Sequence, residues 1–212
     1  MNMTSASYTN FAELTKNEQE LFDFRIISHH RNPAIAVLAI HGGNIEPGTS
    51  EIAVALGERL GASTYLFEGL KPRGNQILHI KSSLFNEPSG LAMAANAQTT
   101  LTIHGHRNEQ ASIVYIGGRN ETFKNVIRHS LKEAGFQAYD APTHLLGMNV
   151  SNIANTCKMG AGVQLELSTK LRKSMFKGDD FSRKNRINRL DRFHRFVHAL
   201  EKGVLTYKRF IR

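Results

Sequence analysis

Four side chains carry the chemistry that this chain can do. His41 closes an apolar run, and Glu46 follows five residues later across the turn GGNIEPGT. His104 ends a second β-like run, TTLTI, and Glu166 sits inside a third, VQLEL. Two imidazoles and a carboxylate are the His₂Glu set of a catalytic zinc, which keeps a fourth position for water. A further carboxylate nearby could serve as general base. His41 and Glu46 do not have the i, i+4 spacing of a metalloprotease helix. Gly42 and Gly43 instead let the backbone fold back, which brings the Glu46 carboxylate toward the His41 imidazole. Glu166 lies between Leu165 and Leu167, so burial would force it to find a partner or shift its pKa. Its alternation partners Gln164 and Ser168 also permit a solvent-facing strand. The residues alone leave two readings open: a metal hydrolase, or histidines that are ordinary hydrogen-bonding groups at strand ends.

These residues need strand ends to hold them. The run at 34–41 reads as a buried strand. A helix capped by Thr49 or Ser50 follows and stops at Gly61. Strands are expected at 64–67 and 76–80, and a small-residue helix from Pro88 through Asn96. Further strands are expected at 99–103 and 112–116, then a helix capped by Asn120 with Phe123, Ile127 and Leu131 on one face. A late strand covers 163–167 and a last helix 185–202. Residues 205–211 are expected to form an edge strand. Strands alternating with helices predict an α/β fold, one mixed sheet flanked by helices, in a compact single domain over 1–212. Residues 1–32 are read as an N-terminal extension packed on it, with a short helix near Phe11 and Leu14. Residues 175–212 are read as a basic C-terminal helix and tail. In such sheets the ligand site lies beyond the carboxyl ends of the strands.

Composition sets limits. The 212 residues carry 41% hydrophobic and 21% charged residues, enough apolar material for a core. The longest clean apolar run has seven residues, 34–40, so no segment spans a bilayer. One cysteine, Cys157, excludes an intrachain disulfide and a multi-Cys zinc cage. The net charge of +9 is uneven: residues 170–212 hold 14 basic and 4 acidic side chains. Such a segment favours an anionic partner without choosing one.

Several blocks in order resemble the poly-γ-glutamate hydrolases of bacteriophages and bacilli. They are HGGNIEPGTSEIA at 41–53, YLFEGLK at 65–71, LHIKSSLFNEP at 78–88, IHGH at 103–106, YIGG at 115–118, a Gly–Phe pair at 135–136, NIAN at 152–155 and GAGVQLELSTKLR at 160–172. The resemblance implies a zinc-carboxypeptidase-like fold with one zinc per chain. His41, Glu46 and His104 match the family's metal ligands, and Glu166 matches its catalytic carboxylate. The implied substrate is an anionic polymer, poly-γ-glutamate. Thr156 and Lys81 depart from the family pattern, which has an arginine and a small hydroxyl residue there.

Each unit of that polymer carries a free α-carboxylate, so the groove needs cations. Arg172, close in sequence to Glu166, and Arg119, after Gly117 and Gly118, are candidates. Asn152 and Asn155 are candidates for orienting the substrate backbone. His79 and Glu68 are candidates for orienting a ligand imidazole. His106 is expected to point to the opposite face from His104, and Cys157 to be a core residue. No secretory signal is visible, so synthesis in a bacterial cytoplasm is expected, and action on capsule polymer would require release on lysis. No membrane partner is expected. Two alternatives remain. One is a nucleic-acid-binding protein using Arg183, Lys184, Arg186, Arg189, Arg192 and Arg195. The other is a zinc amidase or carboxypeptidase acting on small acylated amino acids or peptides.

Overall fold

The computed structural model describes residues 8–210. The apolar run of the first subsection becomes the centre of strand β2, Asn32–Gly43. Helix α2, Thr49–Leu60, leads to β3, Ala62–Gly69, parallel to β2. Strand β4, Thr99–His106, pairs with β2 on its other side, and β7, Val163–Ser168, pairs with β4, both parallel. Strands β5, Ile113–Gly117, and β6, Gln137–Asp140, extend the sheet beyond β7, with β5 antiparallel to it. Strand β1, Phe24–His29, closes the opposite edge, antiparallel to β3. The order is β1-β3-β2-β4-β7-β5-β6, one mixed seven-stranded sheet. Helices lie on both of its faces, as the alternation of elements requires.

One face of the sheet packs Val37, Ala39, Leu101, Ile103, Leu165 and Leu167 against α2, helix α4 (Glu121–Glu133) and helix α6 (Asp191–Tyr207). From α6, Phe193, Phe196, Val197, Leu200 and Val204 are buried there, the stripe expected of an amphipathic helix. The other face packs Ala36, Leu38, Ile40, Tyr65 and Phe67 with Leu78, Phe85 and Met93. Leu14 of helix α1, Phe11–Asn17, and Met93 of helix α3, Pro88–Asn96, complete this second core. Residues 8–29 thus contribute a helix and an edge strand to the body of the fold.

Three local readings are corrected. Residues 76–80 do not form a strand; Asn75–Leu78 is a single 3-10 turn. Side-chain bonds explain it: the Asn75 amide donates to the Lys71 carbonyl, and the Gln76 amide to the Ile45 carbonyl. The last helix starts at Asp191, not 185. Asn185 donates to the Lys177 and Asp180 carbonyls and holds the preceding loop in turns. Helix α6 continues through Tyr207, which replaces the edge strand expected at 205–211; Ile211 lies outside the described residues. Strands β1 and β6 went unread because both are short edge strands without a strong apolar pattern. Among the described residues, no helix is long and apolar enough to cross a membrane.

Candidate metal centre

Strands β2, β4 and β7 are neighbours and end on the same side, so their carboxyl ends form one site. Strict alternation would place His41 with Val37 and Ala39 on the α2 face. A register irregularity between Ala39 and Gly42 breaks that alternation and re-aims the imidazole. Beyond it, the Glu46 amide donates to the His41 carbonyl at 2.9 Å, closing the turn. Gly43 adopts φ +64°, and a Cβ there would lie 2.5 Å from the Gly69 carbonyl oxygen. Only glycine lets the turn pass this close to β3.

The turn returns Glu46 to the histidines. Glu46 Oε1 lies 3.2 Å from His41 Nδ1, and Oε2 lies 3.7 Å from His104 Nδ1. The two Nδ1 atoms face each other at 3.1 Å. His41 Nε2 lies 2.7 Å from the Ile80 carbonyl and so carries its proton, leaving a lone pair on Nδ1. One ligand atom from each of the three residues lies within 4.8 Å of the others, and all three are buried. Ligands about 2.0–2.1 Å from one zinc in a tetrahedron stand about 3.3 Å apart, close to these separations. Without a cation, the His104 Nδ1–H can donate to the His41 Nδ1 lone pair at this distance; with one, both lone pairs can turn to it. The donor set therefore fits a zinc ion.

The electrostatics agree. Burial, opposed by the Glu46 charge, pushes His41 down to about 4, so its imidazole is neutral at neutral pH. Burial works against ionising Glu46. The imidazoles of His41, His104 and His79 around the carboxylate outweigh it and hold Glu46 well below the usual range. The Gly105 amide adds a bond to Glu46 Oε2 at 2.8 Å. His104 is raised: burial opposes its protonation, but its bond to Glu46 and the charges of Glu166 and Glu46 prevail.

Glu166 pairs in register with His104 across β4 and β7. It lines the same cavity of about 670 Å³ as His41, Glu46 and His104. The face it shares with Gln164 is therefore the cavity and not bulk solvent. Burial is the largest influence and raises Glu166 to about 7; His104 opposes the rise and the Glu46 charge adds to it. The Gln164 amide donates to Glu166 Oε1 at 2.9 Å.

The other expected residues divide. His79 stacks on His41 with ring centroids 3.7 Å apart, and its Nε2 lies 3.4 Å from Glu46 Oε1. Asn152 lines the cavity and donates to Gln164 Oε1. Arg172 is buried just beside it; Nε donates to the Leu167 carbonyl and Nη1 to the Pro47 carbonyl. Burial lowers its pKa, opposed by Glu46 and Glu166. Gly105 has no side chain because one would run into the Arg172 guanidinium. Three residues are not brought to the site. Arg119 is exposed and does not line the cavity. Asn155 is turned to the loop, donating to the Gly147 and Asn149 carbonyls. Glu68 is ion-paired with Arg25 of β1.

His106 was expected on the opposite face and instead lines the cavity with His104. The reason is elementary: residues two apart on a strand return to the same face. Its Nε2 is buried and has no hydrogen-bond partner among the described residues. The same period of two could have found Gln164, two residues before Glu166. Thr156 faces its own turn, donating to the Ile153 carbonyl, whereas Lys81 lines the cavity mouth.

Comparison with known proteins assigns the class. Residues 8–199 match the family model of poly-gamma-glutamate hydrolase, and the chain belongs to this family. The YndL protein of Bacillus subtilis is 39% identical over 198 residues, 91% of this chain and 75% of its own length. The prophage-derived YoqZ protein of the same organism is 38% identical over 82% of this chain and 63% of its own length. A solved bacteriophage poly-gamma-glutamate hydrolase superposes with a TM-score of 0.94 at 32% identity, covering 96% of this chain and 98% of that one. A zinc-free form of YndL superposes at 0.88 with 37% identity, covering 94% and 98%. The protein is a hydrolase of amide bonds by family, and its fold extends to an N-formylglutamate amidohydrolase from Ralstonia eutropha at a TM-score of 0.55 and 11% identity.

Proposed function

We propose that this chain cleaves the γ-amide bonds of poly-γ-glutamate with one zinc held by His41 Nδ1, His104 Nδ1 and the Glu46 carboxylate. The observation that carries this reading is the buried meeting of two imidazole nitrogens at 3.1 Å with a carboxylate, beside a second carboxylate raised to about 7. A solved relative described as zinc-free supports zinc as the metal.

When bound, zinc polarises a carbonyl oxygen and lowers the pKa of a water in its open position toward 7. Glu166 accepts the proton as water attacks the amide carbonyl, then returns it to the departing amine. A carboxyl group poised near neutral pH suits both transfers. Gln164 holds the Glu166 carboxyl by its amide and is in turn held by Asn152. His79 packs flat on His41 and restrains its ring. Arg172 keeps a cation beside the site for an α-carboxylate of the substrate, while its bonds to two carbonyls fix its plane. Arg119, Asn155 and Glu68 have no place in this scheme.

Glu166→Gln tests the assignment. The variant should retain about one zinc per chain and lose turnover by roughly 10²–10⁴-fold, the usual worth of a positioned acid–base group. Near-normal turnover with zinc bound would overturn the role of Glu166.

A further inference from the structure

The metal cavity adjoins a second cavity of about 460 Å³, and Glu46, His79 and Gly105 line both. This one adds Arg107, Arg172 and Phe181. A third, of about 640 Å³, adjoins the second in turn, and Pro47, Gln76 and Phe181 line both. The third cavity is lined by Arg73, Arg183, Lys184 and Arg186 and, among the described residues, by no acidic side chain. Arg186 is already engaged: it is buried, ion-paired with Glu51 at 2.7 Å, and donates to Asn44 Oδ1 and the Phe181 carbonyl. Those bonds pin the 177–190 loop to α2 as a fixed wall. Arg73, Arg183 and Lys184 are exposed, and among the described residues their side chains have no hydrogen-bond or ion-pair partner.

We infer that Arg73, Arg183 and Lys184 form a distal carboxylate-binding site, reached from the metal centre along this row of adjoining cavities, that takes γ-glutamyl units remote from the bond being cut. The inference rests on the proposed polymer substrate. A cleft lined by one sign of charge concentrates an anion of the opposite sign. A chain with a carboxylate on every unit can engage the metal end and the distal end at once, and the second contact is then intramolecular. Arginine suits such carboxylates by its paired donors. A nucleic acid fits less well. Single strands are held largely by bases stacked on aromatic faces. The aromatic residue of this groove, Phe181, already has Arg172 and Lys173 over its ring at 5.6 and 5.5 Å.

The test compares long poly-γ-glutamate with γ-triglutamate, using the zinc-loaded full chain and the variant R73Q/R183Q/K184Q. Three exposed ion contacts are each modest. Together their loss should lower kcat/KM on the long polymer about tenfold at low salt and leave γ-triglutamate cleavage within about twofold. The gap should shrink at about 1 M salt, where the screening length is about 3 Å. An unchanged rate on the polymer, or an equal loss on both substrates, would overturn the inference. A binding arm separates this from the catalytic reading. Labelled polymer should bind E166Q protein about tenfold more tightly than E166Q protein carrying the three substitutions. If the unaltered enzyme cleaves neither substrate, the proposed function fails, yet that binding ratio still decides the groove. Tighter binding of single-stranded DNA than of polymer at matched charge would overturn the carboxylate assignment.

Discussion

Two regions of this molecule concentrate ionisable side chains, and they handle them in opposite ways. At the carboxyl ends of β2, β4 and β7, His41, Glu46 and His104 are buried with nitrogens turned toward one another. That arrangement gathers three donor atoms within reach of a single cation. In the basic C-terminal segment most cations instead have structural work. Arg186 binds Glu51, Arg189 lies over Phe193, Arg192 lies over Phe136 and bonds Ser112, and Arg195 donates to the Ala134 carbonyl. Of the six residues that a nucleic-acid reading would use, only Arg183 and Lys184 are without such contacts among the described residues. A dense patch of charge on a sequence is thus no guide to function until the partners of each group are counted.

The largest effect that would sharpen this contrast comes from the ligands. His41→Ala or His104→Ala should weaken zinc binding by more than the 10–100-fold that follows loss of an outer partner. Turnover should fall at least about a thousandfold, with the fold retained by circular dichroism. Tight zinc binding in both variants would break the comparison. Next comes Arg186→Ala, which leaves the Glu51 carboxylate without its ion-pair partner. It should cost about 3 kcal/mol in denaturant unfolding while zinc affinity stays unchanged. A smaller effect separates Glu166 by pH in the metal-free protein. Burial raises Glu166 from 4.5 to about 7 in the folded state. Below pH 4.5 the proton is held in both folded and unfolded chains and contributes no difference. Above pH 7 the folded state must bury a charge, so stability is lost as pH rises through that window. Glu166→Gln removes this cost, raising Tm by roughly 10 °C at pH 8.5 and changing it little near pH 4.5. The smallest effect is expected for R192Q/R195Q, within about 0.5 kcal/mol in stability and with unchanged turnover. A large loss of polymer cleavage there would revive the basic helix as part of the site.

The sequence exposed much of the sheet and the centre of the site because both rest on short-range patterns. Apolar runs marked β2, β4, β5 and β7, and the GGNIEPGT turn marked how Glu46 folds back to His41. The 3-10 turn at Asn75–Leu78 was hidden because its apolar residues look like a strand, while distant side-chain bonds to Lys71 and Ile45 decide its shape. His106 needed only the period of two along β4. Glu68 and Asn155 stood in suggestive blocks, yet Arg25 and two loop carbonyls claim them, contacts that no local pattern reveals. The groove to Arg73 and Arg183 joins segments more than a hundred residues apart, so only the folded chain brings it into view.

The most direct test removes zinc from the purified protein, restores it by titration, and follows bound zinc and polymer chain length in the same samples. The account predicts saturation at about one zinc per chain, with cleavage of poly-γ-glutamate rising in step and both signals lost in H104A. Polymer shortening that persists without zinc, or one bound zinc with no shortening, would contradict it.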